Sequence, residues 1–220
     1  MAQIRIVQTA DGSHTLFSEQ HNAHYHSLNG ALQESLHIFI KNGYEYLSND
    51  AINVLEVGFG TGLNAALTAS KAVELKRNTN YTGIDLYPLE EDILSKLNYD
   101  SILNKSESET WRKIISTKWG VDERINEFFL LNKVHSELIE TNLLNKYDII
   151  YFDAFAPDDQ PEMWTVNVFE KLFNATSNDG VLVTYCSKGI VKQALRAVGY
   201  KVERLVGPSG KRHIIRAIKR

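Results

Sequence analysis

Three glycines at alternate positions follow an apolar run in Val54-Leu55-Glu56-Val57-Gly58-Phe59-Gly60-Thr61-Gly62-Leu63-Asn64. A strand that runs into such a loop and then a helix brings bare backbone close to a ligand. The free amides at the helix start then meet the ligand's polar groups. A dinucleotide loop needs G-x-G-x-x-G, whereas here the third glycine comes one residue early and Leu63 holds its place. Gly58, Gly60, Gly62 and Asn64 are candidate ligand-binding residues, as is Glu56, an acid at the end of a buried-type strand. Asp85 closes the next strand about 25 residues further on, where a carboxylate can accept both hydroxyls of a ribose.

A third acid ends the strand in Tyr147-Asp148-Ile149-Ile150-Tyr151-Phe152-Asp153-Ala154-Phe155-Ala156-Pro157. Ligands of an open parallel sheet bind beyond the carboxyl ends of its strands, so Asp153 is expected to face the glycine loop across the crevice. The glycine loop with its preceding acid resembles a loop for S-adenosyl-L-methionine, and amino methyltransferases carry a similar acid, aromatic and proline after this strand. Methyl transfer to an amine needs a free lone pair in line with the bond that breaks. Asp153 can orient the N–H or accept its proton. Phe155 can wall the pocket by stacking on a base, and Pro157 completes the turn. A turn-capping role for Asp153 is the plainer alternative.

These residues need a sheet to position them. Ile4–Gln8 and Thr15–Ser18 read as short strands around an Asp11-Gly12 turn, and Gly30–Leu47 has helical spacing. Strands are expected at Ile52–Val57, Tyr81–Asp85, Phe128–Leu131, Asp148–Phe152, Val181–Tyr185, Lys201–Leu205 and His213–Ile218. Helices are expected at Leu63–Leu75, Pro88–Leu97, His135–Leu144, Met163–Phe173 and Lys188–Val198, with short helices in the polar stretch 97–123. The alternation implies a mostly parallel sheet covered on both faces. The last two strands are too close in sequence for a parallel crossover and must form an antiparallel hairpin. The fold expected is α/β and Rossmann-like: the seven-stranded sheet of class I methyltransferases, by analogy, at residues 49–220, with a small N-terminal extension, residues 1–48.

A length of 220 residues suits one domain, and a hydrophobic share of 43% excludes a disordered chain. The single cysteine, Cys186, excludes a disulfide framework and multi-cysteine metal sites. His21, His24 and His26 lack ligand spacing and a carboxylate cluster, so no metal is expected. No apolar run approaches about 18 residues, and the N-terminus lacks a signal peptide, so a cytoplasmic protein without membrane contact is expected. From Lys188 to Arg220 ten basic residues face one acid, a balance of +9, against −12 for the preceding residues. Such an end could dock a polyanion or merely solvate an edge.

The runs Gly58–Asn64, Asp85-Leu86-Tyr87-Pro88-Leu89, Asp153–Pro157 and Pro161-Glu162-Met163-Trp164-Thr165 resemble the bacterial MnmC methyltransferase-domain family, in its stand-alone form. Further matches are Tyr25-His26-Ser27 with Glu34, Ser187–Val191, and Gly210-Lys211-Arg212. The resemblance covers nearly the whole chain. It implies N-methylation of 5-aminomethyl(-2-thio)uridine at the tRNA wobble position, with S-adenosyl-L-methionine as cofactor and tRNA as partner. It further implies Asp153 as the catalytic acid of the pocket, Glu56 and Asp85 as cofactor ligands, and an N-terminal segment folded over the substrate. Tyr25, His26, Ser27, Glu34, Trp164, Lys188, Lys211 and Arg212 are the residues expected on the substrate side, with Lys211 and Arg212 presented outward to phosphates.

Two departures stand out. An oxidase domain of the bifunctional members has no room here, so other enzymes are expected to supply the aminomethyl group. Where the family carries Gly-Asp after the third strand, this sequence shows Leu131-Asn132-Lys133-Val134, leaving Asn132 as the candidate adenine contact. Alternatives are a small-molecule amine methyltransferase, a polyamine-synthase-like aminopropyl transferase, and a degenerate methyltransferase-fold protein that only binds RNA.

Overall fold

A computed structural model describes residues 4–143 and 145–220. Strands β1 (Ile4–Gln8) and β2 (His14–Ser18) pair antiparallel, and β3 (Ala23–His24) adds to β2. In the turn between β1 and β2, the Asp11 carboxylate accepts from Ser13 N at 3.0 Å and Thr9 Oγ1 at 2.7 Å. It also accepts from Gln33 N at 3.1 Å, which fixes the small sheet to helix α1 (Ala31–Ser35). The expected single helix over Gly30–Leu47 is broken: α1 runs into a π-helical segment, Leu36–Lys41, and then a 3-10 turn, Tyr44–Tyr46.

The rest of the chain builds the main sheet. Strand β4 (Ala51–Val57) leads through the glycine loop into α2 (Leu63–Leu75), followed by β5 (Asn78–Asp85). Three helices come next: α3 (Glu91–Leu94), α4 (Tyr99–Ile102) and α5 (Lys105–Ser116). Asn104 caps α5 by accepting from Glu107 N at 3.0 Å, while the Glu107 carboxylate accepts from Asn104 N at 3.1 Å. Then follow β6 (Asp122–Asn126), β7 (Phe129–His135), β8 (Tyr147–Phe152), α6 (Val166–Ala175), β9 (Thr176–Thr184), α7 (Gly189–Ala197), β10 (Lys201–Val206) and β11 (His213–Ile218).

Strand order is β10-β11-β9-β8-β4-β5-β7-β6. The five inner strands from β9 to β7 are parallel, and both edges are antiparallel. The expected terminal hairpin is present, but the sheet has eight strands rather than seven. The extra strand, β6, reads Asp122-Glu123-Arg124-Ile125-Asn126 and is mostly exposed, so it carries no apolar period to announce itself. The expected helix at His135–Leu144 is also absent. His135 ends β7, residues 136–143 form turns, and Leu144 lies outside the described residues. The helix expected at Pro88–Leu97 shrinks to α3. That expected at Met163–Phe173 divides into a 3-10 turn, Pro161–Trp164, and α6, whose Thr165 side chain accepts from Val168 N.

Alternate residues of the central strands feed two cores, one per face. Val54 and Tyr81 pack with Leu63, Trp111 and Phe129 on one side. Leu55 and Ile150 pack with Phe152, Trp164 and Phe169 on the other. Between β5 and the glycine loop the packing has no slack: a Cβ on Gly83 would lie 2.2 Å from Phe59 Cδ2. Gly83→Ala must displace the buried Phe59 ring beneath that loop. It should cost about 1–3 kcal/mol of stability, measured by urea unfolding; an unchanged midpoint would show that the ring moves freely.

Candidate active site

Past the C-terminal ends of β4, β5, β7 and β8 lies a cleft of about 950 Å³, counting its open mouth. It sits where the chain, having built outward from β4 to β7, returns to the other side of β4, the usual ligand crevice of such sheets. The glycine loop forms one wall. Gly58 N and Phe59 N both donate to Ile84 O, at 3.0 and 3.2 Å, and Trp111 Nε1 holds Thr61 O from behind at 2.9 Å. Gly60 takes φ +51°, and a Cβ there would press on Tyr25 Cδ1 at 3.3 Å. Bare backbone at this point is what leaves the passage open.

Asp85 stands across the loop. Its Oδ2 accepts from Gly60 N and its Oδ1 from Tyr87 N, both at 2.9 Å. Burial raises its pKa above the ordinary carboxyl value, and the two amide bonds work against that rise. The carboxylate is thus oriented by the loop it faces, with lone pairs left for ligand hydroxyls.

Behind the cleft runs a chain of polar side chains. Tyr81 Oη donates to Glu56 Oε2 at 2.7 Å, and Asn64 Nδ2 donates to both Glu56 Oε1 and Asp153 Oδ2 at 2.9 Å. Two carboxyl groups on one amide nitrogen set this orientation of the Asn64 amide when either is ionised, since Oδ1 in that place would then face an acceptor. Asn64 Oδ1 is then left buried without a partner beside the cleft. An acceptor in that state suits the amino group of an amino-acid-like ligand. Asp153 closes the chain, its own N–H bonded to Val57 O at 2.9 Å. Burial pushes its pKa up to about 8; the Glu34 charge adds to the rise, and Asn64 and Lys211 oppose it.

The N-terminal segment covers the opposite side. His21 stacks on Phe155 with centroids 4.6 Å apart and planes at 25°, and it lies 5.8 Å from Tyr87. Tyr25 meets Phe155 edge-on at 5.1 Å. Thr15 Oγ1 accepts from His26 N at 3.0 Å and contacts Nδ1 at 3.2 Å. Burial lowers the His26 pKa to about 4, so the imidazole is neutral.

Of the residues expected from sequence, Gly58, Gly60, Asn64, Asp85, Asp153, Phe155, Tyr25 and His26 line the cleft. Others do not. Glu56 is wholly buried and reaches the cleft only through Asn64. A Cβ on Gly62 would meet Phe59 and Ile114, so that glycine serves packing. Asn132 does not line the cleft: it lies within β7, bonded to Asp122 Oδ1 at 2.5 Å, because β7 continues to His135. The residues that reach the cleft there are Ser136, Glu137 and Leu138. Trp164 is buried against Phe152, its Nε1 holding Phe155 O at 2.7 Å, and Pro157 is buried outside the cleft.

The substrate-side set is divided as well. Ser27 gives its amide to Glu34 Oε2 at 2.8 Å and stays outside the cleft. Glu34 is buried and ion-paired with Lys211, whose ammonium also lies 4.8 Å from the Tyr185 ring centroid. Lys211 therefore faces inward, contrary to the outward position expected of it, because a buried carboxylate claims it. Lys188 pairs with Asp158 at the surface, and Arg212 is exposed. The cleft also takes in His21, weighed from sequence only as a metal ligand, and Tyr87 and Met163, which fall inside two motifs without a signal of their own.

A family model described as S-adenosyl-L-methionine-dependent methyltransferase matches residues 105–220. The bifunctional protein MnmC of tRNA 5-methylaminomethyl-2-thiouridine biosynthesis from Leptospira interrogans is 31% identical over 217 residues, covering 91% of this chain and 33% of the relative. Its counterpart in Actinobacillus pleuropneumoniae is 26% identical over 230 residues, covering 93% and 34%. The chain thus spans about a third of the length of these relatives. The crystal structure of MNMC2 from Aquifex aeolicus superposes with a TM-score of 0.82 at 26% identity, over 99% of this chain and 70% of that one. Spermidine synthase from Thermotoga maritima shares the fold alone, with a TM-score of 0.62 at 14% identity. With the family model matching more than half of its length, the chain belongs to the S-adenosyl-L-methionine-dependent methyltransferases.

Proposed function

We propose that this chain methylates the exocyclic amine of 5-aminomethyl(-2-thio)uridine at the wobble position of tRNA. The observation that carries the reading is Asp153: a carboxyl group at the cleft, aimed by Asn64 and held in a range where it exchanges protons near neutral pH. The MnmC and MNMC2 likenesses supply the substrate class. The reaction belongs in the cytoplasm with tRNA, and a prior modification reaction must install the aminomethyl group. In this reading the segment up to residue 48 covers the transferase body, residues 49–220.

The open glycine loop, the oriented Asp85 and the unpartnered Asn64 Oδ1 fit S-adenosyl-L-methionine. Asp85 would hold the ribose hydroxyls, Asn64 the amino group, and the backbone at Gly58 and Gly60 the length of the ligand. When bound, the cofactor supplies a methyl group on a positively charged sulfur. An amine is mostly protonated at neutral pH and has no lone pair to offer. Asp153, in its ionised form, takes that proton and leaves the nitrogen nucleophilic. Phe155, with Tyr25 and His21 around it, gives the uracil ring a stacking wall. The neutral His26 adds no positive charge to a site that receives two cationic groups.

Because the ionised carboxylate is the working form, the single-turnover rate should rise with pH through about 8 and then level off. Asp153→Asn should lower the rate by about 10²–10⁴ and remove that limb. A limb that stays near 8 in the variant would assign it to the substrate amine and remove Asp153 from the role of base.

The cofactor assignment is tested separately. Asp85→Ala should weaken binding of S-adenosylhomocysteine by about 1.5–3 kcal/mol in calorimetry, the worth of a hydrogen bond to a charged acceptor. Asp153→Asn should bind it as the wild type does. Equal affinities for Asp85→Ala and wild type would overturn the ribose contact.

A further inference from the structure

The basic stretch Lys188–Arg220 separates into two sets once its partners are known. Lys188 is paired with Asp158, Lys201 and Arg216 with Glu203, and Lys211 with Glu34. Lys219 donates to the Phe173 and Thr176 carbonyls at 2.7 and 2.9 Å. Among the described residues, the side chains of Lys192, Arg196, Arg204, Arg212 and Arg220 have no hydrogen-bond or ion-pair partner, all but Lys192 being exposed, and three of them, Lys192, Arg204 and Arg212, act on one imidazole, His213.

Those three converge in space. Val206 pairs with His213 across the terminal hairpin, so Arg204, two residues along β10, projects on the same face as His213. Helix α7 packs on that face, with Val191, Ala194 and Leu195 in one core with Val202 and Ile215, and Lys192 stands in its first turn. The His213 imidazole registers the crowding. Its pKa is lowered by partial burial and then by the charges of Arg204, Arg212 and Lys192. Ile215 pairs with Thr184 at the end of β9, which places the hairpin tip at the cleft end of the sheet. The neighbour of Arg212, Lys211, lies over Tyr185 directly after that strand.

We propose that Lys192, Arg204 and Arg212 form a rim at the cleft that holds the phosphates of the RNA substrate. The proposal rests on the tRNA reading above and assigns its docking surface. An unpaired cation gives up only water and counterions when it meets a phosphate, whereas Lys211 would first have to abandon a buried carboxylate. The −12 balance of the rest of the chain repels the polyanion and turns this rim toward it.

The test measures binding of a tRNA transcript to the full chain against salt concentration. In Lys192→Ala/Arg204→Ala/Arg212→Ala the log–log slope should fall by about 2, at roughly 0.7–0.9 for each phosphate no longer neutralised. The KM for tRNA should rise several-fold with kcat unchanged. Arg220→Ala, beyond the opposite end of β11, should leave the slope at its wild-type value. A slope unchanged in the triple variant, or lowered per charge as much by Arg220→Ala, overturns the rim while leaving the tRNA reading intact. A wild-type chain that binds no tRNA at any salt concentration overturns that reading, and the rim with it.

Discussion

Everything at the cleft depends on one carboxyl group that never meets solvent. Among the described residues, Glu56, at 0% exposure, has no cation beside it and is satisfied only by the Tyr81 hydroxyl and the Asn64 amide. Burial raises its pKa well above the ordinary value, with the charges of Asp153 and Asp85 adding to the rise against the two hydrogen bonds. Such a group is costly unless its partners are held in place. The consequence is rigidity where three elements meet: β4 carries Glu56, β5 carries Tyr81, and α2 carries Asn64. Asn64 extends the same restraint to Asp153 after β8. A carboxyl group aimed through a buried network loses little orientation to thermal motion, the condition for catalysis by alignment if Asp153 acts as the proposed base.

The electrostatics of the cleft follow from where its acids are. Asp85 and Asp153 stand at the ends of strands on either side of β4, and the charge of Glu34, outside the cleft lining and offset by Lys211, still reaches Asp153. With His26 kept neutral by burial, the interior offers acceptors to the proposed ligand pair, which is positive on both partners. The exposed cations lie outside, on the hairpin and α7. In the proposed reading one molecule presents an acidic interior for the reacting groups and a basic rim for a polyanion, two demands that a uniform surface charge would set against each other.

Much of this is legible in the sequence, for definable reasons. The glycine triplet, Asp85 and Asp153 declare themselves because a strand end, a loop and a helix start leave a dense local pattern. Helix α2 matches its expected bounds, Leu63–Leu75, to the residue. What escapes is non-local or disguised. Charged β6 resembles a loop, since an exposed edge strand needs no apolar alternation. Leu138, Ile139 and Leu143 mimic helical spacing in turns that serve the cleft wall instead. Asn132 reads as a residue past the strand end only while β7 is taken to end at Leu131, four residues short of His135. Nor does charge counting separate a paired lysine from a free one. Only the packed chain shows that Lys211 belongs to Glu34.

That pair joins residues 177 positions apart, and with it the loop beside Ser27 meets the hairpin tip. Contacts of such separation carry the largest loop-closure cost and tend to form after local structure is in place. The cover of the cleft is therefore expected to dock onto a sheet already assembled, as a late event in folding. A nascent chain that has built the glycine loop and the parallel core still lacks the partner that neutralises Glu34. The enclosed chamber, unlike the bare cofactor cradle, exists only once the terminal hairpin has been made.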